Sequence, residues 1–159
     1  MSNAIVETGH IVNLVAPVDL DLAAVTSDAF SMQNYNTANI IVQLGVKGAA
    51  TTITVEKCTT AAGAGATAIA FKYRACLVSI GTALCDQFGA WTSATAAGFA
   101  TSTTANIMYY IMINGSEVAD GGPWVRLKFT DPGAATFGSA IAILTDARYG
   151  AYQTPTAVD

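Results

Sequence analysis

The residues that could do acid–base or metal chemistry in this chain are few and widely separated. His10 is the single histidine, so a general base would have to be this residue or a carboxylate. Asp19 and Asp21 would supply half of a calcium site, but calcium takes six or more oxygen ligands. We interpret the acidic pair as a solvated turn after Pro17. No nucleophile or paired-histidine motif appears, and we predict no enzymatic activity, no metal and no cofactor.

The segment GAGATA (63–68) fits the loose dinucleotide-binding pattern GxGxxA. That pattern binds a pyrophosphate only where a strand precedes it and a helix follows it. The residues after position 68 alternate as a strand does, so we interpret the segment as a loop.

The segment PWVRLKFTDPG (123–133) holds two of the seven basic residues of the chain, Arg126 and Lys128. Apolar residues alternate with them, and a period of two places the two sets on opposite faces of a strand. We therefore expect Leu127 and Phe129 to be buried and the two cations to form the solvated face. Contact with an acidic partner is the alternative.

The cysteines and tryptophans have structural interpretations. Cys58, Cys76 and Cys85 are odd in number and lack CxxC spacing, which favours reduced, buried small side chains over a disulfide. Trp91 and Trp124 are either core residues or interface anchors, and packing in the core is the commoner fate of a tryptophan.

Composition limits the class of protein. The 159 residues are 52% hydrophobic and only 11% charged, whereas an ordinary soluble domain is roughly 25% charged. The longest apolar runs, at 107–113 and 140–144, are far shorter than the ~20 residues of a membrane span, and residues 1–14 lack a secretory signal pattern. A net charge of −4 argues against nucleic acid as a partner. A surface with so little charge indicates coverage by neighbouring proteins.

Strand patterns occupy much of the chain. IIVQLGV (40–46) alternates, with Ile40, Val42, Leu44 and Val46 on one face, and TTITVEK (51–57) alternates likewise. The residues KGAA (47–50) between them have the length of a hairpin loop. AIAFKYR (68–74) predicts a further strand, with Ile69, Phe71 and Tyr73 inward and Lys72 and Arg74 outward.

The second half of the chain continues the strand pattern. IMYYIMI (107–113) is apolar on both faces, so we expect a central strand or one covered by a partner. Turn signals follow at 114–115 and 131–133, and SAIAILTDARY (139–149) closes the domain. Only residues 18–30 suggest a single helical turn. The pattern predicts an all-β, single-domain antiparallel β-sandwich, jelly-roll-like, with Ala/Gly/Thr-rich loops.

Two of these loops, at 59–68 and 92–106, contain almost only Ala, Gly, Ser and Thr and no charge. Exposed to solvent they would be flexible, and laid along another protein their small side chains would permit close backbone approach.

Two segments, VEKCTTAAGAGATAIAFKYR (55–74) and DGGPWVRLKFTDPGAATFGSAIAILTDARYGAYQTP (120–155), resemble a family of small tailed-phage and prophage head-associated proteins, of the capsid decoration (cement) type. Within them VRLKFTDPGAAT is the most specific part. The resemblance covers about the C-terminal two thirds of the chain. It implies a virion protein on the capsid exterior, made in the host cytoplasm, whose partners are the major capsid protein and other copies of itself in a homo-oligomer such as a trimer.

Three functions from different classes stay open at this point. The first is a capsid decoration protein that binds and stabilises the outside of a tailed-phage head. The second is another virion part, such as a tail-tube, head-fibre or receptor-binding component. The third is a carbohydrate-binding or hydrolytic β-domain, which would require converging aromatic and acidic residues that the sequence does not group.

The two termini are uncharged enough to contact a neighbour. We divide the chain into an N-terminal arm or edge strand (1–17), a β-sandwich domain (18–149) and a C-terminal tail (150–159). If the termini reach another copy or the capsid shell, strand addition would satisfy their backbone groups. The candidate contact residues are Ile5, Val6, Ile11, Val12, Tyr149 and Tyr152.

Overall fold

The computed structural model describes residues 5–79, 81–120, 122–148 and 157–158, except for the side chains of Val6 and Glu7. In the described residues strands far outnumber helical residues, and two antiparallel sheets pack against each other. The prediction of an all-β sandwich is therefore confirmed.

The described residues form short helical pieces and a series of strands. A single turn, α1 (Ile5–Thr8), precedes the first strand, and one-turn 3-10 helices lie at Leu20–Leu22 and Gly115–Glu117. The strands are β1 (His10–Asp19), β2 (Val25–Thr26), β3 (Phe30–Ser31), β4 (Tyr35–Lys47), β5 (Thr52–Cys58), β6 (Thr67–Ile69), β7 (Phe71–Ala75), β8 (Thr92–Ala94), β9 (Phe99–Ala100), β10 (Met108–Asn114), β11 (Trp124–Phe129) and β12 (Thr136–Ala147).

The larger sheet has six strands in the order β1-β12-β4-β10-β7-β8, and its pairings are antiparallel. Its longest strands, β4 and β12, lie side by side near one edge and pair along most of their length. β10 lies between β4 and β7, which confirms the central position expected for an apolar run on both faces.

The smaller sheet has the order β2-β11-β5-β6, with β3 also paired to β11 and β9 also paired to β5. Leu127 and Phe129 on β11 are fully buried, while Arg126 and Lys128 are only partly buried. This confirms the predicted face of β11, because a period of two leaves one set of side chains inside and the other outside.

The core fills the space between the inward faces of both sheets. Its largest fully buried side chains come from β3, β4, β5, β10, β11 and β12 and from the segments beside them: Phe30, Phe129, Leu20, Met32, Ile40, Leu44, Ile53, Ile111, Ile113, Leu127, Leu144 and Val42. Each sheet therefore covers the apolar face of the other, as a sandwich requires.

The hairpin prediction for residues 47–50 is wrong. β4 and β5 lie in opposite sheets, because both sides of β4 are already paired, with β12 and with β10. The loop instead carries the chain across the sandwich, and the N–H of Gly48 donates to the carbonyl of Ala135 at 2.7 Å. A Cβ on Gly48 would lie 2.8 Å from the Cβ of Ala134, so a larger residue would push the two loops apart.

The prediction of one strand over 68–74 is also wrong. The chain changes sheets at Ala70, since β6 pairs with β5 and β7 pairs with β10. Phe71 is buried, and Ile69 and Tyr73 are partly buried against the core. The alternation runs unbroken through Ala70 because both sheets turn their apolar faces toward the same core.

Of the four residues predicted on the inner face of 40–46, Ile40, Val42 and Leu44 are fully buried, but Val46 is 67% exposed. β4 extends beyond the core at this end, where its pairing with β12 becomes irregular. Alternation alone does not show where the covering sheet stops.

The segment 92–106 contributes to the fold rather than forming a plain loop. It holds β8 and β9, and Phe99 on β9 is buried. The ring of Phe99 stacks on Tyr73 with 3.8 Å between ring centroids. The segment 59–68 forms the hairpin loop between β5 and β6. A strand and not a helix follows its glycines, so the dinucleotide-binding pattern GxGxxA lacks the helix that it requires.

Residues 10–17 of the N-terminal segment belong to strand β1 of the sandwich. β1 is the outermost strand of the larger sheet and pairs with β12, which corresponds to the edge-strand form of the prediction for residues 1–17. The boundary proposed after residue 17 falls inside β1. Residues 150–156 and 159 lie outside the described part of the chain.

Candidate binding surface

The outward face of the larger sheet is uncharged over four neighbouring strands and carries Lys72 and Arg74 on β7 at its border. On the larger sheet, alternate positions of β1, β12, β4 and β10 point away from the core and carry uncharged side chains. We call this surface the apolar face, and its residues are Ile11, Asn13, Asn39, Ile41, Gln43, Met108, Tyr110, Met112, Phe137, Ser139, Ile141 and Ile143.

Isoleucines form a continuous row across the apolar face. Ile141 on β12 lies directly opposite Ile41 on β4, and Ile143 lies opposite Ile11 on β1. Direct partners on antiparallel strands share a face and approach closely. Ile11, Phe137 and Ile141 are 46%, 48% and 37% exposed. Contiguous exposed apolar patches of this kind mark interaction surfaces.

Polar groups in the middle of the apolar face bond to one another. The Asn39 side-chain amide donates to the carbonyl of Ile143 at 3.2 Å and to the hydroxyl of Thr145 at 3.1 Å. Its oxygen accepts from the Tyr110 hydroxyl at 2.6 Å. Burial raises the pKa of Tyr110, while Arg74 acts in the opposite direction. Tyr110 is therefore a neutral hydroxyl at physiological pH.

An aromatic cluster borders the apolar face beside β10 and β7. Trp91 is 43% exposed, so the expected core position is wrong for this residue, and Trp124 is partly buried. The Arg74 guanidinium lies 5.2 Å from the Trp91 ring centroid, and its Nε donates to the carbonyl of Gly89 at 2.6 Å. Tyr110 lies 5.7 Å from the same ring. These contacts hold Trp91 at the surface without burying it.

The outward face of the smaller sheet carries charge. Arg126 on β11 lies opposite Glu56 on β5, and its Nε donates to a Glu56 carboxylate oxygen at 2.8 Å. The guanidinium packs against Gly63, where a side chain would collide with it. Lys128 lies opposite Thr54 on the same face. Arg126 thus makes its contacts within the domain.

The acidic pair of the sequence has a structural role. Asp19 Oδ1 accepts from the N–H of Asp21 at 3.1 Å and from the N–H of Thr136 at 3.0 Å, so it caps the 3-10 turn and ties it to β12.

No group of three or more His, Cys, Asp or Glu residues in the described ranges could hold a metal ion. The Nδ1 atom of His10 is buried and has no hydrogen-bond partner among the described residues, and the His10 ring lies 6.2 Å from that of Tyr35.

The three cysteines are free thiols. Cys58 and Cys76 are buried, as predicted, and burial raises the pKa of both thiols, whereas Cys85 is only partly buried. The raised pKa values make Cys58 and Cys76 poor nucleophiles at neutral pH.

A cleft of about 350 Å³ lies between the segments 75–82 and 102–109. Its described lining mixes apolar side chains with hydroxyls and includes no charged residue. The Tyr109 hydroxyl in this cleft accepts from the N–H of Ser102 at 2.7 Å.

The candidate contact residues predicted at the termini lie in different environments. Ile5 and Ile11 are exposed, whereas Val12 is buried in the core of its own domain. The Val6 side chain, Tyr149 and Tyr152 lie outside the described part of the chain. Of this set, only Ile11 belongs to the apolar face.

Sequence reasoning missed most of the apolar face. The available signal was in β12, where Phe137, Ile141 and Ile143 alternate with the buried Ala140, Ala142 and Leu144. Apolar residues on both faces, already evident at 107–113, extend to this strand. The pattern does not show whether the second face is covered by the chain itself or left open.

Comparison with protein-family models, with curated proteins and with solved structures finds no match. Within the described residues no helix has the length and apolar character to cross a membrane. The fold and the surface together define a β-sandwich that exposes one apolar sheet face.

Proposed function

We propose that this chain is a virion structural protein, a capsid decoration (cement) protein that binds the outer surface of a tailed-phage head and stabilises it. The observation that carries the proposal is the apolar face, which serves as the contact surface. Exposed side chains such as Ile11, Phe137 and Ile141 occur on this one face. The resemblance of residues 55–74 and 120–155 to phage head-associated proteins supports the same class.

The distribution of charge supports a protein contact through this face. Only 11% of the chain is charged, and the Arg126–Glu56 ion pair lies on the opposite outward face. Burying apolar surface contributes about 25 cal/mol per Å², whereas burying an unpaired charge is costly. The residues of the apolar face carry no charge, so covering them loses little, while Lys72 and Arg74 on β7 lie at its border opposite Met112 and Tyr110.

A repeated contact also explains how a modest interface is sufficient. A decoration protein meets the same subunit arrangement many times on one particle, and symmetry repeats one contact over the shell. The apolar face is broad because it extends over four neighbouring strands, which suits a shell surface better than a narrow ligand.

The test is co-sedimentation of the purified protein with capsid shells that lack it. Ile141→Lys places a charge in the centre of the apolar face and should reduce the affinity by about tenfold or more, which corresponds to about 1.4 kcal/mol. Leu22→Lys is the matched control, because Leu22 is 85% exposed on a 3-10 turn outside the apolar face. This control should bind as the unmodified protein does.

Equal binding by both variants would exclude the apolar face as the contact. Mass spectrometry of virions then separates the classes of virion protein. A copy number near that of the major capsid protein supports decoration, and a few copies per particle would instead indicate a tail, fibre or vertex component.

A further inference from the structure

We propose that β1 is a self-association edge, through which two copies of this chain pair antiparallel over residues 10–14 around a two-fold axis. This inference concerns the chain alone and does not depend on capsid binding.

The first half of β1 has the features of an open strand edge. β1 is the outermost strand of the larger sheet, and β12 is its pairing strand in the described residues. No backbone hydrogen bond from any other described strand or loop reaches residues 10–14. An edge of this kind presents unpaired N–H and C=O groups that readily pair with another strand.

Natural edges are protected by bulges, proline or lysine, and β1 has such protection only in its second half. Its register with β12 shifts between Asn13 and Val15 and again between Val15 and Val18, around Pro17. Residues 10–13 pair regularly with β12 and, with Leu14, include no lysine and no proline. The regular half is therefore available for pairing.

The chemistry of residues 10–14 fits a second copy. The stretch HIVNL has no acidic residue, lysine or arginine, so two copies do not repel each other. A one-residue slip would turn each side chain to the wrong face of the sheet. We place the two-fold axis at Val12, so that Val12 lies opposite Val12 of the second copy on the inward side. Ile11 then lies opposite Asn13 of the second copy on the outward side.

In this register the outward isoleucine row and the inward apolar face of one copy each continue into the second copy. Ile11 is 46% exposed and lies opposite Ile143, so pairing continues the isoleucine row across the two-fold axis. Val12 is buried within its own sheet and remains on the inward side. The other end of the sheet is the three-residue strand β8, which is too short to extend the assembly in the same way. Pairing therefore closes at two copies.

The paired stretch is short, so the dimer buries little surface and should be weak in solution. Five residues span roughly 17 Å, and stable interfaces bury at least about 1,200 Å². We expect a weak, concentration-dependent dimer that high local concentration on a surface would favour.

Sedimentation equilibrium from about 10 µM to about 1 mM should show a monomer–dimer equilibrium, a range that spans a weak complex. Ile11→Lys places two cations diagonally across the axis and should raise the dissociation constant about tenfold. Asn13→Lys, also on an exposed side chain, should act in the same way if the first variant folds poorly. Val46→Lys is the control, because Val46 is 67% exposed at the far end of β4. It should change the dissociation constant of the dimer less than about twofold.

Hydrogen exchange locates the contact. Amides of residues 10–14 should become more protected as concentration rises, while those of the β8 edge should not change. A monomer over the whole range, a trimer, or equal effects of Ile11→Lys and Val46→Lys would overturn the proposal. Because no shells are present, none of these results bears on the proposed capsid binding.

Discussion

Replacing Phe129 with alanine tests how strongly the core depends on β11. The side chain is fully buried, and its direct cross-strand neighbours are Val25 on β2 and Ile53 on β5. Truncation removes the favourable transfer of the ring and leaves a cavity, which together cost about 3–5 kcal/mol. Since domains are stable by only about 5–15 kcal/mol, the variant should keep its fold with little margin.

Lys128→Ala is the matched control, because this residue precedes Phe129 on the same strand and points outward. Lys128 is partly exposed, and no ion pair to it occurs among the described residues. The Thr54 hydroxyl donates to the Lys128 backbone carbonyl, a contact that alanine retains. The free energy of unfolding should therefore change by less than about 0.5 kcal/mol.

Urea unfolding followed by tryptophan fluorescence measures both variants. Phe129→Ala should lower the midpoint with an unchanged m-value, and in thermal unfolding it should lower Tm by about 6–20 °C, at about 2–4 °C per kcal/mol. Similar losses for the two variants would show that the assignment of the two faces of β11 is wrong.

Two further predictions concern a lysine and a pair of glycines. Burial lowers the pKa of Lys47 from 10.5 to about 8, so above pH 8 the folded protein binds fewer protons here than the unfolded chain. The contribution of Lys47 to stability should therefore rise between about pH 8 and 10.5; Lys47→Met should remove this rise in urea midpoints, and an unchanged pH dependence would contradict it. Gly98 and Gly133 both have positive φ, but a Cβ on Gly98 would collide with the carbonyl of Ile53, whereas Gly133 faces open space. In thermal unfolding Gly133→Ala should cost about 1–2 kcal/mol and Gly98→Ala clearly more, and equal losses would contradict the collision.

Local alternation determined much of the fold. A period of two placed Leu127 and Phe129 inside and Arg126 and Lys128 outside, and the structure confirms both. The run at 107–113 was expected in the centre of a sheet and forms β10 between β4 and β7. These predictions succeed because side-chain direction along a strand depends only on backbone geometry.

Strand pairing depends on residues far apart in sequence and was therefore predicted poorly. A four-residue loop at 47–50 suggested a hairpin, but β12 and β10 take both edges of β4 and force β5 into the other sheet. The alternation through Ala70 likewise concealed a change of sheets. Neither loop length nor period carries information about which edges are already occupied.

For the candidate binding surface as well, local sequence determined one part and long-range packing the other. The sequence by itself determined that this chain has far fewer charged residues than an ordinary soluble domain. It also determined that several strands are apolar on both faces. Only the tertiary structure decided which second faces stay uncovered: Ile141 and Phe137 remain exposed because the smaller sheet packs on the opposite side of β12. Exposure is a property of how two sheets cover each other, and no local pattern along one strand contains it.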